Sequence, residues 1–478
     1  MTHNAPDGAL RPSPALLLLA VAAWHLTFWV LMPWLAYRSL PLDALELLGW
    51  GQEWQWGYYK HPPLGPWLGE AFVQLCGGRI ESLYLLAQSC LLLTLFYVWS
   101  TARLWLDPAR AALATVLLEG SYFHTYLVPN FNMNSLQLPL WAGFSFHLIR
   151  ALQGATRHWY AAALCAALCL LAKYSGALLL LCGLVLVLAT PEGRRALRTP
   201  APWLAALLAL GLLAPHLLWL REHFDLPLHY LRSFDPEGAT SLWQHLAEPI
   251  RFALGALLGL LPGLALFLLV RERGAARTIP RETTWLLALC FGPLLLAMAY
   301  GLVSGSRLKS TWAFPFFNLA GVVLFLCVPT AIDARRWRRV VLALCAVLLL
   351  TAGMHLAYKL GSDRSKTAFD GRALAMAVSQ AWRQEYDTPL RVVVGDHVLS
   401  ATISSYAPER PSMLIRGDYA ISPWLTPAQV AASGAAVVCR ATEACFPALT
   451  GSAASPRRLH VDGQEFVLFV LAPQAAAR

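Results

Sequence analysis

Long apolar runs, joined by connections that carry arginines at every second position in the order, constrain this 478-residue chain more than any other feature. A helix needs roughly 17–25 mostly apolar residues to cross a bilayer, and that window gives about eleven spans. They fall near Pro14–Ala36, Ser82–Ser100, Ala111–Leu127, Ser135–Ile149, Trp159–Leu171, Gly176–Ala189, Pro202–Leu220, Phe252–Val270, Thr284–Tyr300, Trp312–Val328 and Val340–Ala357. Arg103/Arg110, Arg150/Arg157, Arg194/Arg195/Arg198, Arg271/Arg273/Arg277/Arg281 and Arg335/Arg336/Arg338/Arg339 sit in alternate connections, as cytoplasmic loops do under the positive-inside rule. That parity predicts a cytoplasmic N-terminus. It places on the opposite side the first loop (37–80), the segment with Asn130–Asn134, the turn at Lys173, the loops 221–251 and 301–311, and everything after Ala357.

At 57% hydrophobic and 13% charged residues the chain is too apolar for a soluble protein. The runs are continuous, which excludes a porin-like barrel of short alternating segments. The net charge of +10 is accounted for by the orienting arginines, so no nucleic-acid partner is expected. The first run has only Arg11 before it and no small-residue cleavage site after it, and reads as a retained helix.

After Ala357 the pattern changes. Pro389–Asp396, Ala435–Cys439 and Phe466–Leu471 read as buried strands, and Gly371–Glu385 and Thr426–Ser433 as helices. The expectation is an α-helical polytopic membrane domain (1–358) followed by a small α/β domain (359–478) large enough to bury its own core. Cys439 and Cys445 fall on the outer side, an oxidising compartment in which two nearby thiols can pair.

Ionisable residues are costly in so apolar a chain, and those on the outer side mark function. The densest run lies in the first loop. From Asp43 to Trp54 the apolar spacing predicts an interfacial helix with Asp43 and Glu46 about one turn apart, able to face one cavity or simply to serve the helix start. Trp54, Trp56, Tyr58 and Tyr59 offer flat faces for a sugar or for the membrane interface, next to Lys60 and His61, which two prolines preorganise. Further along stand Asn130, Asn132 and Asn134, then Lys173, then Arg307 and Lys309 before Trp312; His216 lies near the outer end of its span. The cations Lys60, His61, Lys173, Arg307 and Lys309 together suit a phosphate at the membrane surface, with snorkelling to lipid headgroups as the alternative for each alone. No Walker loop, dinucleotide fingerprint, HExxH or CxxC pair occurs, which disfavours an ATP-driven pump or a soluble-cofactor enzyme. For a secondary transporter the main intramembrane candidates are Glu119 and His124.

GYYKHPPLGPWL (57–68), FNMNSLQLPLW (131–141), AKYSG (172–176) and RLKSTWAFP (307–315), after the acidic residue Asp43, occur in the order found in a known family. The chain resembles, over nearly its full length, the GT-C type glycosyltransferases that use polyprenyl-phosphate sugars, in particular the bacterial branch modifying lipid A and core. The resemblance implies a GT-C fold and an inverting enzyme that moves one hexosamine, aminopentose or uronic acid from undecaprenyl phosphate to lipid A or a related lipopolysaccharide. It implies a multi-pass monomer among the lipids of a bacterial inner membrane, with active site and C-terminal domain in the periplasm. Asp43 becomes the catalytic carboxylate, assisted by Glu46. Lys60, His61, Lys173, Arg307 and Lys309 become donor-phosphate ligands, and Tyr58, Tyr59, Asn132, Asn134 and His216 substrate contacts.

The chain departs from the family in having Ala44 after Asp43 and Asn134 where relatives have an acid, which weakens the case for a divalent metal; no other cofactor is implied. It also has His61 where relatives carry a lysine, so the phosphate site would titrate near the free histidine pKa of about 6.5. A protein O-mannosyltransferase-like activity and a polyprenyl-lipid or solute transporter are the alternatives.

Overall fold

The computed structural model describes residues 13–232, 241–274, 278–361, 367, 369–442, 445–450 and 456–474; Arg11 and Arg277 lie outside them. The membrane part runs through α1 (Pro14–Ala36), α2 (Leu42–Gly51), α3 (Leu64–Leu75), α4 (Leu83–Ala102), α5 (Pro108–Val116), α6 (Met133–Leu152), α7 (His158–Ala172), α8 (Gly176–Ala189), α9 (Pro191–Ala196), α10 (Pro200–Glu222), α11 (Asp225–Arg232), α12 (Leu242–Leu258), α13 (Leu261–Leu268), α14 (Thr283–Ser304), α15 (Ala320–Cys327) and α16 (Ala334–Gly361). Among the described residues α1, α4 with its leading turn, α10, α14 and α16 are each long and apolar enough to cross a membrane; α12 and α13 make one further span bent by 46°.

Three expected spans are therefore not straight helices. Residues 111–127 are helical only to Val116, then tighten into a 3-10 turn at Leu117–Gly120, where Gly120 meets the backbone of Gly263 too closely for any side chain. The span expected over 252–270 bends before Pro262, and only the last part of the one expected over 312–328 is α-helix, α15. The arginine-bearing connections meet at one end of the bundle: Arg110 donates to the Thr330 carbonyl at 2.8 Å, Arg271 bridges to Thr330, and Arg281 pairs with Glu192.

Glu119 and His124 are structural. His25 pairs with Glu119 at 2.8 Å and with Gln88 at 3.0 Å, Gln88 donates to the Val128 carbonyl at 3.3 Å, and His124 pairs with Asn318 at 3.0 Å, all fully buried or nearly so. These bonds tie α1 and α4 to the segment leading to Asn130 and Asn132. Polar side chains in an apolar bundle persist where they pair with one another, and here only Glu119 Oε1 and His124 Nδ1 of the cluster lack a partner among the described residues.

The α/β unit follows as α17 (Gly371–Arg383), β1 (Val392–Gly395), α18 (His397–Tyr406), β2 (Ser412–Ile415), α19 (Pro427–Ser433), β3 (Ala435–Arg440), β4 (Arg457–Val461) and β5 (Gln464–Leu471), with strand order β2-β1-β3-β5-β4. The strands β1, β2 and β3 are parallel, and β5 pairs antiparallel with both β3 and β4. A disulfide joins Cys439 to Cys445.

The expected interfacial helix is instead buried. Residues Ala44–Gly51 of α2 are covered, because Leu45, Leu48 and Trp50 share one hydrophobic core with Leu374, Val378, Ile403 and Met413 of the α/β unit. Polar bonds fix the register: Gln52 donates to Ser404 at 2.8 Å, and Ser405 to the Leu45 carbonyl at 3.2 Å. Where α2 crosses α3, Gly51 faces the Pro66 carbonyl so closely that a Cβ would lie 2.4 Å from it. Beside that crossing Glu70, 1% exposed, receives a two-pronged bond from Arg410 of the α/β unit at 2.7 and 2.8 Å. Removing one partner of such a pair strands a buried charge, at a cost of about 3 kcal/mol. Arg410→Leu is therefore expected to lower the thermal midpoint of the detergent-solubilised protein, and adding Glu70→Leu to restore most of it; equal midpoints for all three forms would refute the clamp.

Candidate active site

The segment after α2 folds back on it. Tyr58 N–H donates to the His61 carbonyl at 3.0 Å, closing a turn that holds Tyr59 and Lys60, and Pro62 and Pro63 lead into α3. Gly57 lies against the Trp219 ring, where a Cβ would come within 2.3 Å, so only glycine lets the turn pass α10. This turn, α2, the N-terminus of α6, the α7–α8 turn, α11 and the Leu308–Trp312 segment enclose a cavity of about 680 Å³.

One wall is acidic. Asp43 Oδ2 accepts from the side-chain amides of Asn130 at 3.2 Å and Asn132 at 3.1 Å, while Oδ1 has no hydrogen-bond partner among the described residues. Asn132 does two jobs: its side-chain oxygen caps α6 through the amides of Asn134 (2.8 Å) and Ser135 (3.1 Å), which aims its NH₂ at Asp43. Asp43 itself caps nothing, since Pro41 occupies the cap of α2. Glu46, 6% exposed, is committed to Lys60 at 2.5 Å.

Lys60 in turn sits among the rings of Trp50, Tyr59 and Tyr230, 5.3–5.7 Å from their centroids. Lys173 donates to Asn134 Oδ1 at 2.6 Å and lies 5.9 Å from the Trp312 ring. Burial, opposed by Asp43 and reinforced by Lys309, brings the Lys173 ammonium down to about 8. His61 is held well below the ordinary histidine value by burial, then by the charges of Lys173 and Lys60. It is neutral at physiological pH, which corrects the expectation of a site titrating near 6.5.

Of the sequence candidates, Asp43, Glu46, Lys60, His61, Asn132, Asn134, Lys173 and Lys309 line the cavity. Tyr58 does not: it is fully buried, its hydroxyl donating to the Trp50 carbonyl at 2.9 Å and accepting from Gln55 N–H at 3.1 Å. Nor does His216, whose Nδ1 faces the Trp56 carbonyl at 2.7 Å while its ring stacks on Tyr174. Both are packing residues and not substrate contacts. Tyr59 belongs to the ring set around Lys60, and Arg307 is exposed beside the cavity without lining it. The structure adds Asn130, seen as polar but given no role, and Tyr230 on α11, in the outer loop 221–251 for which the sequence named no site residue. Asp43 has no second carboxylate beside it, since Glu46 faces Lys60, and among the described residues no three His, Cys, Asp or Glu side chains form a metal-holding group.

The cavity gathers Asp43, the Glu46–Lys60 pair, Lys173 and Lys309 in an otherwise apolar bundle. Residues 60–219 match the family model described as dolichyl-phosphate-mannose-protein mannosyltransferase. The lipopolysaccharide core galacturonosyltransferase RgtB of Rhizobium johnstonii is 23% identical over 401 residues, 80% of this chain and 79% of its own. The structure of ArnT from Cupriavidus metallidurans bound to undecaprenyl phosphate superposes with TM-score 0.67 at 13% identity, covering 96% of this chain and 99% of that one. Its apo form gives 0.60 at 15% identity with the same coverage. The chain is a glycosyltransferase with a GT-C fold. Its glycosyltransferase fold places the loop after the first span, the N-terminus of α6 and the α7–α8 turn around one cavity, the arrangement described above.

Proposed function

We propose that this glycosyltransferase moves a single sugar from undecaprenyl phosphate to lipid A or core lipopolysaccharide, at the periplasmic face of a bacterial inner membrane. The observation that carries the reading is that Asp43, Lys173 and Lys309 line one cavity, whose side formed by α10 and α11 is largely apolar. Leu220, Phe224, Leu228 and Leu231 of α10 and its flanking helix α11 suit a polyprenyl chain entering from the bilayer. Transfer breaks the bond between the sugar C1 and a phosphate oxygen while the acceptor oxygen attacks C1. The phosphodiester, carrying one negative charge, leaves as a monoester with two, so cations at Lys173 and Lys309 stabilise the transition state more than the bound donor. Asp43 Oδ1 takes the proton of an acceptor hydroxyl; if the acceptor atom belongs to a phosphate, Asp43 orients it instead. The Asn130 and Asn132 amides hold that carboxylate in place.

The lipopolysaccharide-modifying relative supports the acceptor class and makes a uronic acid the first sugar to test. The family model's description favours a second reading, transfer to secreted proteins. Mass spectrometry of lipopolysaccharide from a deletion strain separates them. Loss of one sugar mass from lipid A or core is expected; intact lipopolysaccharide with under-glycosylated secreted proteins would establish the second reading.

A further inference from the structure

The α/β unit does more than clamp α2. Its arginines from Arg372 to Arg458 form salt bridges with two exceptions among the described residues, Arg391 and Arg416. These two lie at opposite ends of the parallel strands. Arg391 precedes β1, whereas Arg416 follows β2, its N–H donating to the Gly395 carbonyl at 2.7 Å at the end of β1. β1 has β2 on one side and β3 on the other, all parallel, so Arg416 stands at the carboxyl edge next to the point where the strand order reverses. Open α/β sheets bind ligands at that edge.

β2 lies along α2, the helix whose Asp43 and Glu46 line the cavity. Gln52 at the end of α2 donates to the Pro411 carbonyl at 3.2 Å, and two residues later Met413 packs against Gly49, so β2 runs back along α2 toward Asp43. The Trp424 indole fixes this strand by donating to the Met413 carbonyl at 3.0 Å while its ring meets Tyr58. Arg416 lies three residues further along, roughly 10 Å in extended chain, beside Tyr59. The Tyr59 hydroxyl registers it: burial and then Glu46 push that group well above its ordinary pKa, and the Arg416 charge pulls it part of the way back. The side chain is exposed, and its backbone is left-handed at φ +56°, a conformation costly for a non-glycine residue and concentrated at functional sites.

We propose that Arg416 is an anion subsite for the acceptor, binding a phosphate or carboxylate of the incoming glycolipid while the acceptor oxygen reaches Asp43. The proposal rests on the acceptor class argued above. It gives the α/β unit a part in substrate selection, with the donor phosphate held by Lys173 and Lys309 on the membrane side and the acceptor anion held from above.

The test uses the full-length protein in nanodiscs and three acceptor probes, bisphosphorylated lipid A, its dephosphorylated form, and that dephosphorylated form carrying the acidic core sugars, with undecaprenyl phosphate as the donor control. Arg416→Gly removes the guanidinium at a position whose backbone glycine accepts without strain, so misfolding is not the expected result. The variant should bind bisphosphorylated lipid A, or the probe with acidic core sugars, about tenfold more weakly, as expected for a lost charged hydrogen bond. The probe that loses affinity names the anion. Fully dephosphorylated lipid A should bind both forms alike, and Arg391→Ala should bind all three probes as the wild type does. Unchanged affinity of Arg416→Gly for every probe overturns the subsite, as does a loss confined to undecaprenyl phosphate, which would assign the residue to the donor. A wild-type enzyme that binds lipid A through Arg416 yet transfers no sugar to it leaves the subsite standing and overturns the transfer reading.

Discussion

Asp43→Asn is expected to lower kcat for sugar transfer by roughly 10²–10⁴-fold, the range for losing a general base, while protein level and donor affinity stay near those of the wild type. The substitution keeps the side chain's shape, and its oxygen can still accept from Asn130 and Asn132, which hold Oδ2 at 3.2 and 3.1 Å. What disappears is the negative oxygen facing the cavity. Single-turnover transfer with labelled donor reads this directly. A variant that keeps most of its rate would remove Asp43 from the chemistry and leave it a structural carboxylate.

Lys173→Met should reduce kcat/KM for the donor by about 10²–10³-fold, as loss of one charge-stabilising donor at a developing anion typically does. The more discriminating readout is pH. The Lys173 ammonium is depressed to about 8, chiefly by burial, so it is charged below that pH and loses its proton as pH rises through it. The wild-type kcat/KM, which reports the free enzyme, is therefore expected to fall above pH 8. Lys173→Arg keeps its charge throughout and should flatten that limb. His61, pressed below its ordinary value by burial and then by Lys173 and Lys60, is not the group that sets this alkaline limb. An unchanged alkaline limb in Lys173→Arg would assign the titration to another group.

Asp43, Lys60, His61, Asn132, Lys173 and Lys309 reach one cavity because each adjoins a helix end or turn, and the chain's few outer polar residues cluster at such points. Tyr58 and His216 were misread for a related reason: an aromatic or histidine near the interface looks the same in sequence whether it meets substrate or a backbone carbonyl. Only the Trp50 and Trp56 carbonyls, at 2.9 and 2.7 Å, decide between the two. Lys60 shows the same limit for charge. Its spacing suits a phosphate, but Glu46, one helix away in the chain and 2.5 Å away in space, already neutralises it.

The sequence by itself determined a membrane bundle followed by one small α/β unit, because hydropathy and strand patterning act locally along the chain. Tertiary structure decided what depends on contacts between distant segments. It buried α2 under the α/β unit, broke the span after Val116, left Asp43 Oδ1 open among the described residues and set Arg410 on Glu70 across 340 positions of sequence. The physical reason is that a carboxylate's role is fixed by the donors that reach it, and in this protein those donors come from segments far away in the chain.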